Sequence, residues 1–275
     1  MKTPLAWFNL LHNRVRTAVA VAGVTFAIVL MFMQLGFLEA VKASATIIYD
    51  ALDFDICLRS TDYLHLADAR ALPRIRLYQA QSVQGVSRVV PFQVALAPWR
   101  HPLSGEKRPI LTMGVRPEDE LNREPAIQQA VRRHLVVPDA VLIDTKTRPE
   151  YGPKDTRRFG DRDRDVVTEL GDHRVRIAGH FTRGAGLSAS GALLISEPGF
   201  FRVAPGRTFG DVNFALVRIQ PHARLDEVIA RLDEALPDDV EVLSRAETIH
   251  RELARWVYQT NYGLIFLTGV AVAVI

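Results

Sequence analysis

Residues 17–38 read TAVAVAGVTFAIVLMFMQLGFL. The stretch holds no charge, and Gln34 is its most polar side chain. About 20 helical residues, each rising about 1.5 Å, cross a hydrocarbon core of about 30 Å, so this segment is long enough to span a bilayer. Lys2, Arg14 and Arg16 precede it, while Asp50, Asp53 and Asp55 follow with Lys42 as the one nearby cation. The excess of cations before the span predicts a cytoplasmic N-terminus and an external domain after it. A cleaved signal peptide is the competing reading, because Ala43-Ser44-Ala45 has the small-x-small form of a cleavage site. A signal core usually runs about 7–15 apolar residues, so the longer run favours an uncleaved helix.

Outward from this helix the chain divides into four expected segments. Residues 1–16 contain Trp7 and Phe8 among basic and aliphatic neighbours, which suits a short helix lying at the cytoplasmic interface with Trp7 as anchor, the alternative being the frayed start of the transmembrane helix. Residues 17–38 are the first transmembrane helix, with Ala20, Gly23 and Ala27 forming a small-residue face that another helix could approach closely. Residues 39–262 form the extracytoplasmic domain. Residues 263–275 are apolar throughout but too short to cross, so they read as the start of a second, incomplete transmembrane helix in a piece of a longer protein.

The expected domain is mixed α/β, bracketed by helical stalks at 39–50 and 244–262. Trp256, Tyr258 and Tyr262 fall near the outer interface, and Glu247, Arg251, Glu252 and Arg255 are expected to be solvated. Strands are expected at 53–60, 86–99, 108–115, 211–220 and 240–243. Helices are expected at 68–84 and at 223–236, where Leu225, Val228, Ile229, Leu232 and Leu236 form one stripe. An insertion from about 117 to 205 should contribute a helix near 118–133 and strands near 139–144, 173–182 and 191–196. The fold class is therefore an α+β membrane protein, with an N-terminal transmembrane helix, a split α/β extracytoplasmic domain carrying an inserted subdomain, and the start of a second transmembrane helix.

Composition and motifs narrow the chemistry. The 34 Lys and Arg against 31 Asp and Glu leave a net charge of +3. Cations alternate with acids instead of forming one basic face, so nucleic-acid binding is not expected. Cys57 is the only cysteine, which excludes an intrachain disulfide or a multi-cysteine metal site. No P-loop occurs. Gly186-Leu187-Ser188-Ala189-Ser190-Gly191 imitates a nucleophile elbow but has Ser190 where the second glycine belongs, so it reads as a turn before a strand at 192–196. Asp161, Asp163 and Asp165 imitate a calcium loop, yet Val166 takes the glycine position and Asp172 the place of the terminal glutamate. The 154–165 charge run is expected to be a solvated loop. His173 and His180 stand seven apart in one predicted strand, on opposite faces. No catalytic, cofactor-binding or metal-ligating residue is assigned, no cofactor is expected, and the chain does not read as an enzyme.

Several strings resemble those of DevC-type ABC exporter permeases. They are Pro4-Leu5-Ala6-Trp7, Ile28 through Phe37 with its Met-Phe-Met-Gln-Leu-Gly-Phe core, Arg76-Leu77-Tyr78-Gln79-Ala80, Arg148-Pro149-Glu150-Tyr151-Gly152-Pro153, and Ala235-Leu236-Pro237-Asp238-Asp239-Val240. They occur in order along essentially the whole chain. The resemblance, to the broader MacB and FtsX type, implies four transmembrane helices with a large split periplasmic domain between the first two. It also implies a bacterial inner-membrane location and a homodimer. The implied partners are a separate cytoplasmic ATPase subunit, a periplasmic membrane-fusion adaptor and a TolC-type outer-membrane channel. The function it implies is an exporter permease that couples ATP hydrolysis by the separate subunit to periplasmic rearrangement and export of a lipid-like or other hydrophobic cargo. The chain departs from that pattern by ending inside the second span. The alternative is a membrane-anchored sensor or ligand-binding module. The second apolar run and the strings above favour the permease.

Overall fold

The structure, a computed structural model, describes residues 14–155, 157–204 and 206–258. The chain divides into two compact units, Met1–Ala43 with Leu253–Ile275, and Ser44–Glu252.

The apolar stretch lies in α1 (Arg14–Ala51), one unbroken helix of 38 residues. No proline interrupts it, and at about 1.5 Å per residue it is about 57 Å long. Among the described residues it is the one helix long and apolar enough to cross a membrane. Val19, Val24, Phe26, Phe32 and Met33 along it are all exposed. Among the described residues, a Cβ added at Gly23 or Gly36 would meet nothing within 4 Å, so nothing packs closely on Gly23 of the small-residue face. The Ala43-Ser44-Ala45 triplet sits inside α1, and Ala45 is buried. The interfacial segment expected before Arg14 and the apolar run 263–275 fall outside the described residues.

In the Ser44–Glu252 unit, α1 is followed by β1 (Ile56–Ser60), β2 (Leu72–Pro73), α2 (Ile75–Gln81), β3 (Val86–Arg100), β4 (Lys107–Val115), α3 (Pro125–His134) and β5 (Ala140–Asp144). Next come two 3-10 turns (Pro149–Tyr151 and Asp161–Asp163), β6 (Val167–Leu170), β7 (His173–Phe181), β8 (Ala192–Ser196) and α4 (Glu197–Val203). The chain then forms β9 (Asp211–Val212), β10 (Phe214–Ile219), α5 (Leu225–Ala235), β11 (Val240–Ser244) and α6 (Arg245–Tyr258). Nine strands form one sheet in the order β11-β1-β10-β3-β4-β8-β5-β7-β6, and β2 pairs with β9 apart from it.

The long strand β3 serves two neighbourhoods. Its residues 86–92 pair with β10, and from Gln93 to Arg100 it pairs with β4. Beyond β4 the sheet curls until β6 returns to β3 at Trp99↔Leu170, closing six strands into a ring. Trp99, Val141, Ile143, Ile177, Leu193 and Ile195 belong to one buried cluster, while Leu142 and Leu194, one residue on, belong to another. This period-two division is what a strand buried on both faces requires, and it explains the continuous apolar runs of β5 and β8. The Trp99 indole donates to the Tyr151 carbonyl at 3.0 Å and meets Phe159 edge-on. On the open part of the sheet, Leu77 and Ala80 of α2 and Val228 and Leu232 of α5 cluster with Ile56, Leu58 and Val217. The other cluster there gathers Ile48, Tyr49 and Leu52 with Phe92, Phe214 and Leu216.

Several expectations change. The helix expected at 68–84 shrinks to Ile75–Gln81, because Leu72–Pro73 pairs with β9 and Pro73 can serve such a short edge strand. The helix expected near 118–133 starts at Pro125, a residue suited to the first helical turn. The strand expected at 211–220 breaks at Asn213, whose side chain accepts from the Val94 amide at 2.9 Å and whose amide donates to Gln93 at 3.2 Å. The 154–165 run is not uniformly solvated. Asp163 is buried and accepts from the Lys154 and Gly160 amides, both at 2.8 Å, so it organises the loop. Against β5 the register of β7 steps from Ile177 to Gly179, which breaks the alternation used to separate His173 from His180. Seven residues at about 3.3 Å each still put the two about 23 Å apart along the strand.

Candidate functional site

A polar construction in the Ser44–Glu252 unit lies where α1 ends and α6 begins. Helix ends leave four carbonyls without intrahelical partners, and here a side chain from elsewhere takes up one of them together with the carbonyl just past the helix. Arg245, the first residue of α6, donates from Nη1 to the Leu52 carbonyl at 2.8 Å and from Nη2 to the Asp50 carbonyl at 3.3 Å. Its guanidinium also lies 5.2 Å from the centre of the Phe54 ring. The main chain closes the same corner. Arg123 N donates to Ala51 O at 3.0 Å, Asp53 N to Leu121 O at 2.8 Å, and Arg245 N to Asp55 O at 2.9 Å.

The acids that follow the apolar stretch are all engaged. Asp53 receives Arg218 at 2.6 Å and Arg123 at 3.6 Å, and Asp55 accepts from the Ile219 amide at 3.0 Å. Asp50 lies 3.6 Å from Arg245. Burial lowers the pKa of Arg245, Arg123 lowers it further, and Asp50, Asp53 and Asp55 oppose the shift. These half-exposed pairs each contribute little alone, but they fix the corner's geometry. A cleft of about 490 Å³ opens beside them, lined by Asp53, Asn122, Arg123, Gln128 and Arg132.

Beneath this corner lies a buried cluster drawn from α1, β1, β11 and α6. The hydroxyls of Tyr49 and Tyr63 stand 2.9 Å apart. The Arg59 guanidinium lies 4.1 Å from the centre of the Tyr63 ring, donating to Glu241 at 2.6 Å and to Glu252 at 3.4 Å. Glu252 was expected in solvent and is instead buried, because a cation in the apolar strand β1 needs a counter-charge. Burial raises the pKa of both tyrosines well above the usual phenol value. The Cys57 thiol beside them is pushed up to about 12 by burial, against the pull of Arg59 and Thr248.

A third contact presses the 183–188 loop onto α1. Gly186 adopts φ +60°, and a Cβ there would fall 2.0 Å from the Ser44 carbonyl oxygen and 2.9 Å from Ile47. Glycine is required on both counts. The loop is drawn in by Asp144, whose carboxylate accepts from the amides of Lys146, Arg183 and Gly184. Buried Arg183 donates to Asn122 at 2.8 Å, and burial lowers its pKa to about 10 against Asp144 and Glu124. The turn and following strand expected around Gly186–Ser196 are present.

Sequence reasoning assigned no site, and the residues that build this one were read as strand or stalk, or, for Arg123 and Gly186, as part of the insertion's helix and a turn. Arg59, alone among apolar neighbours in Ile56-Cys57-Leu58-Arg59, was the available signal for a buried ion pair. Tyr258 ends α6 and Trp256 is half-buried, while Tyr262 lies outside the described residues. Among the described residues, no group of three or more His, Cys, Asp or Glu could hold a metal. The arrangement joins the end of one helix to the start of another.

No family model matches the chain, and no curated protein matches it either. Among solved structures the chain is similar to the periplasmic region of MacB from Actinobacillus actinomycetemcomitans, at 10% identity over 74% of this chain and 94% of that one, with a TM-score of 0.46. It is also similar to the extracellular domain of the noncanonic ABC-type transporter YknZ from Gram-positive bacteria, at 13% identity over 69% and 98%, with a TM-score of 0.43. Likenesses at these values identify no function.

Proposed function

We propose that this chain is a permease subunit of a MacB/DevC-like ABC exporter, which transmits motion to an outer domain and does not itself enclose the cargo. The observation that carries the reading is the shared junction. Arg245 at the start of α6 holds the end of α1, and Arg59 of β1 reaches Glu252 further along α6. A load on either helix therefore reaches β1 directly. The family-like strings and the unburied apolar surface of α1 support the same reading.

In this reading residues 1–16 lie at the cytoplasmic face of a bacterial inner membrane, 17–38 cross it, 39–262 form the periplasmic domain, and 263–275 begin the second span. A separate ATPase moves the inner helix ends. The outer domain, paired as a homodimer, passes the motion to a membrane-fusion adaptor and a TolC-type channel, and a lipid-like or other hydrophobic cargo leaves.

The test is transport by the complete protein with its ATPase partner in vesicles. A Gly-Gly insertion after Lys42 interrupts the helix and should abolish ATP-driven export while leaving the domain folded. Unchanged export would overturn the coupling. Failure of the complete protein to engage any ATPase, with retained ligand recognition by the domain, would indicate a membrane-anchored sensor.

A further inference from the structure

The two helices that meet at the junction are seated on the domain in different ways. The end of α1 is fixed by apolar burial and by the main chain. Ile48, Tyr49 and Leu52 are buried in the cluster that holds Phe92, Phe214 and Leu216. Ala51 O accepts from Arg123 N, Asp53 N donates to Leu121 O, and the Gly186 loop presses on Ser44 and Ile47. Exposing apolar side chains of that size together is costly, so this end is held as firmly as the core beneath it.

Helix α6 is held by polar contacts. In its first two turns, residues 245–252, the buried side chains are Thr248 and Glu252. Half-buried Ile249 is the apolar residue of these turns that packs on the core. The main chain is tied at the helix start, where Arg245 N donates to Asp55 O at 2.9 Å. Beyond that point Thr248 faces the Cys57 thiol and Glu252 meets Arg59 at 3.4 Å.

The surroundings of Arg59 let α6 leave without stranding a charge. Glu241 of β11 holds Arg59 more closely, at 2.6 Å, and β11 is paired with β1 along its whole length. When Glu252 lifts away, Arg59 keeps that counter-charge and Glu252 passes into water. Tyr63, which also reaches Glu252, keeps its contact with Tyr49 at 2.9 Å. Exposed Arg251 gives up its pair with Glu241, a contact worth little at the surface. Breaking a buried ion pair is costly chiefly when one partner stays buried and uncompensated, and here neither does.

We infer that α6 is a hinged strap, pivoting at Arg245 and lifting from β1 while the end of α1 stays seated. The inference gives the proposed coupling a moving part, and it rests on that reading only for the source of the force. The opening itself belongs to the folded chain. Cys57, the sole cysteine, faces Thr248 from beneath the strap and reports it. The measurement is iodoacetamide labelling of the complete protein in detergent at pH 8, followed against urea below the unfolding transition.

The expected result is slow labelling whose rate scarcely changes with urea, because a local opening exposes little surface. Glu252→Gln should speed this phase about tenfold or more, since a charged hydrogen bond to Arg59 is lost. Ile48→Val, a mild truncation on the α1 side, should leave it unchanged and shift only the global transition. Labelling that follows the full urea slope of global unfolding would overturn the strap. So would a local phase that Ile48→Val speeds as much as Glu252→Gln. ATP turnover by a bound ATPase should speed labelling further. A local phase that persists but ignores ATP would sink the coupling and leave the strap standing.

Discussion

The guanidinium of Arg245 donates to the carbonyl of Leu52 at 2.8 Å, so the first residue of α6 completes the C-terminal end of α1. Hydrogen bonds from a charged donor contribute about 1.5–3 kcal/mol each at most, and two backbone oxygens depend on this one side chain. Arg245→Ala should therefore lower the stability of the outer domain by about 2 kcal/mol. Arg245→Lys should recover little, since a point-like ammonium cannot reproduce the fork. Denaturant unfolding of the full chain in detergent measures both.

Removing one member of the buried Arg59–Glu252 pair should cost more. An uncompensated charge in that environment costs about 3–5 kcal/mol. Arg59→Met leaves Glu252 and Glu241 facing each other's field, whereas Arg59→Met combined with Glu252→Leu removes one of those burdens. The double variant should be more stable than the single one, and a thermal transition ordered the other way would contradict the pairing.

Gly186 and Gly206 both adopt positive φ, at +60° and +69°, yet they predict different outcomes. At Gly206 a Cβ meets nothing within 4 Å, so Gly206→Ala should cost only the backbone term of about 1 kcal/mol. At Gly186 the same atom collides with the Ser44 carbonyl, so Gly186→Ala should lift the loop from α1. Faster hydrogen exchange at 183–188 and at 44–48 would report it.

His134 carries the clearest pH prediction. Burial and then Arg164, Arg133, Arg176 and His180 lower its pKa below the ordinary value of 6.5. The unfolded chain therefore takes up a proton first as the pH falls below about 6.5, and the folded state only at lower pH. Stability is full above that value and declines on acidification through the window beneath it. His134→Gln should flatten this part of the pH–stability curve.

Cys57 should resist alkylation in the native protein throughout the neutral range, since its thiol is both enclosed and pushed up to about 12. Rapid labelling by iodoacetamide at pH 8 without denaturant would show that the β1 region opens.

How legible this was depended on the range of the forces involved. The uncharged run Thr17–Leu38 and the stripe Val228–Leu232 are local patterns, and their helices formed where expected. Strand edges near Val86, Lys107, Ala140 and Ala192 were likewise readable from apolar alternation or continuity. The return of β6 to β3 was not, because Val167-Thr168-Glu169-Leu170 is short, pairs locally with β7, and meets β3 at Trp99, 71 positions earlier. Helix α4 was hidden by Pro198 and Gly199, which are tolerated because they fall in its first turn. The junction itself was opaque for the same reason: Arg59 meets Glu252 across 193 positions.

The place of β1 between β10 and β11 also sets a timetable for synthesis. Both hydrogen-bonding neighbours of Ile56–Ser60 come from beyond residue 213, so the strand leaves the ribosome about 150 residues before anything can pair with it. At about 5–20 residues per second that delay is about 8–30 s. The six-stranded ring, whose last strand ends at Ser196, can close meanwhile. Nascent Ile56–Ser60 must wait beside it without a strand partner, its apolar residues covered at most by Leu77 and Ala80 of α2.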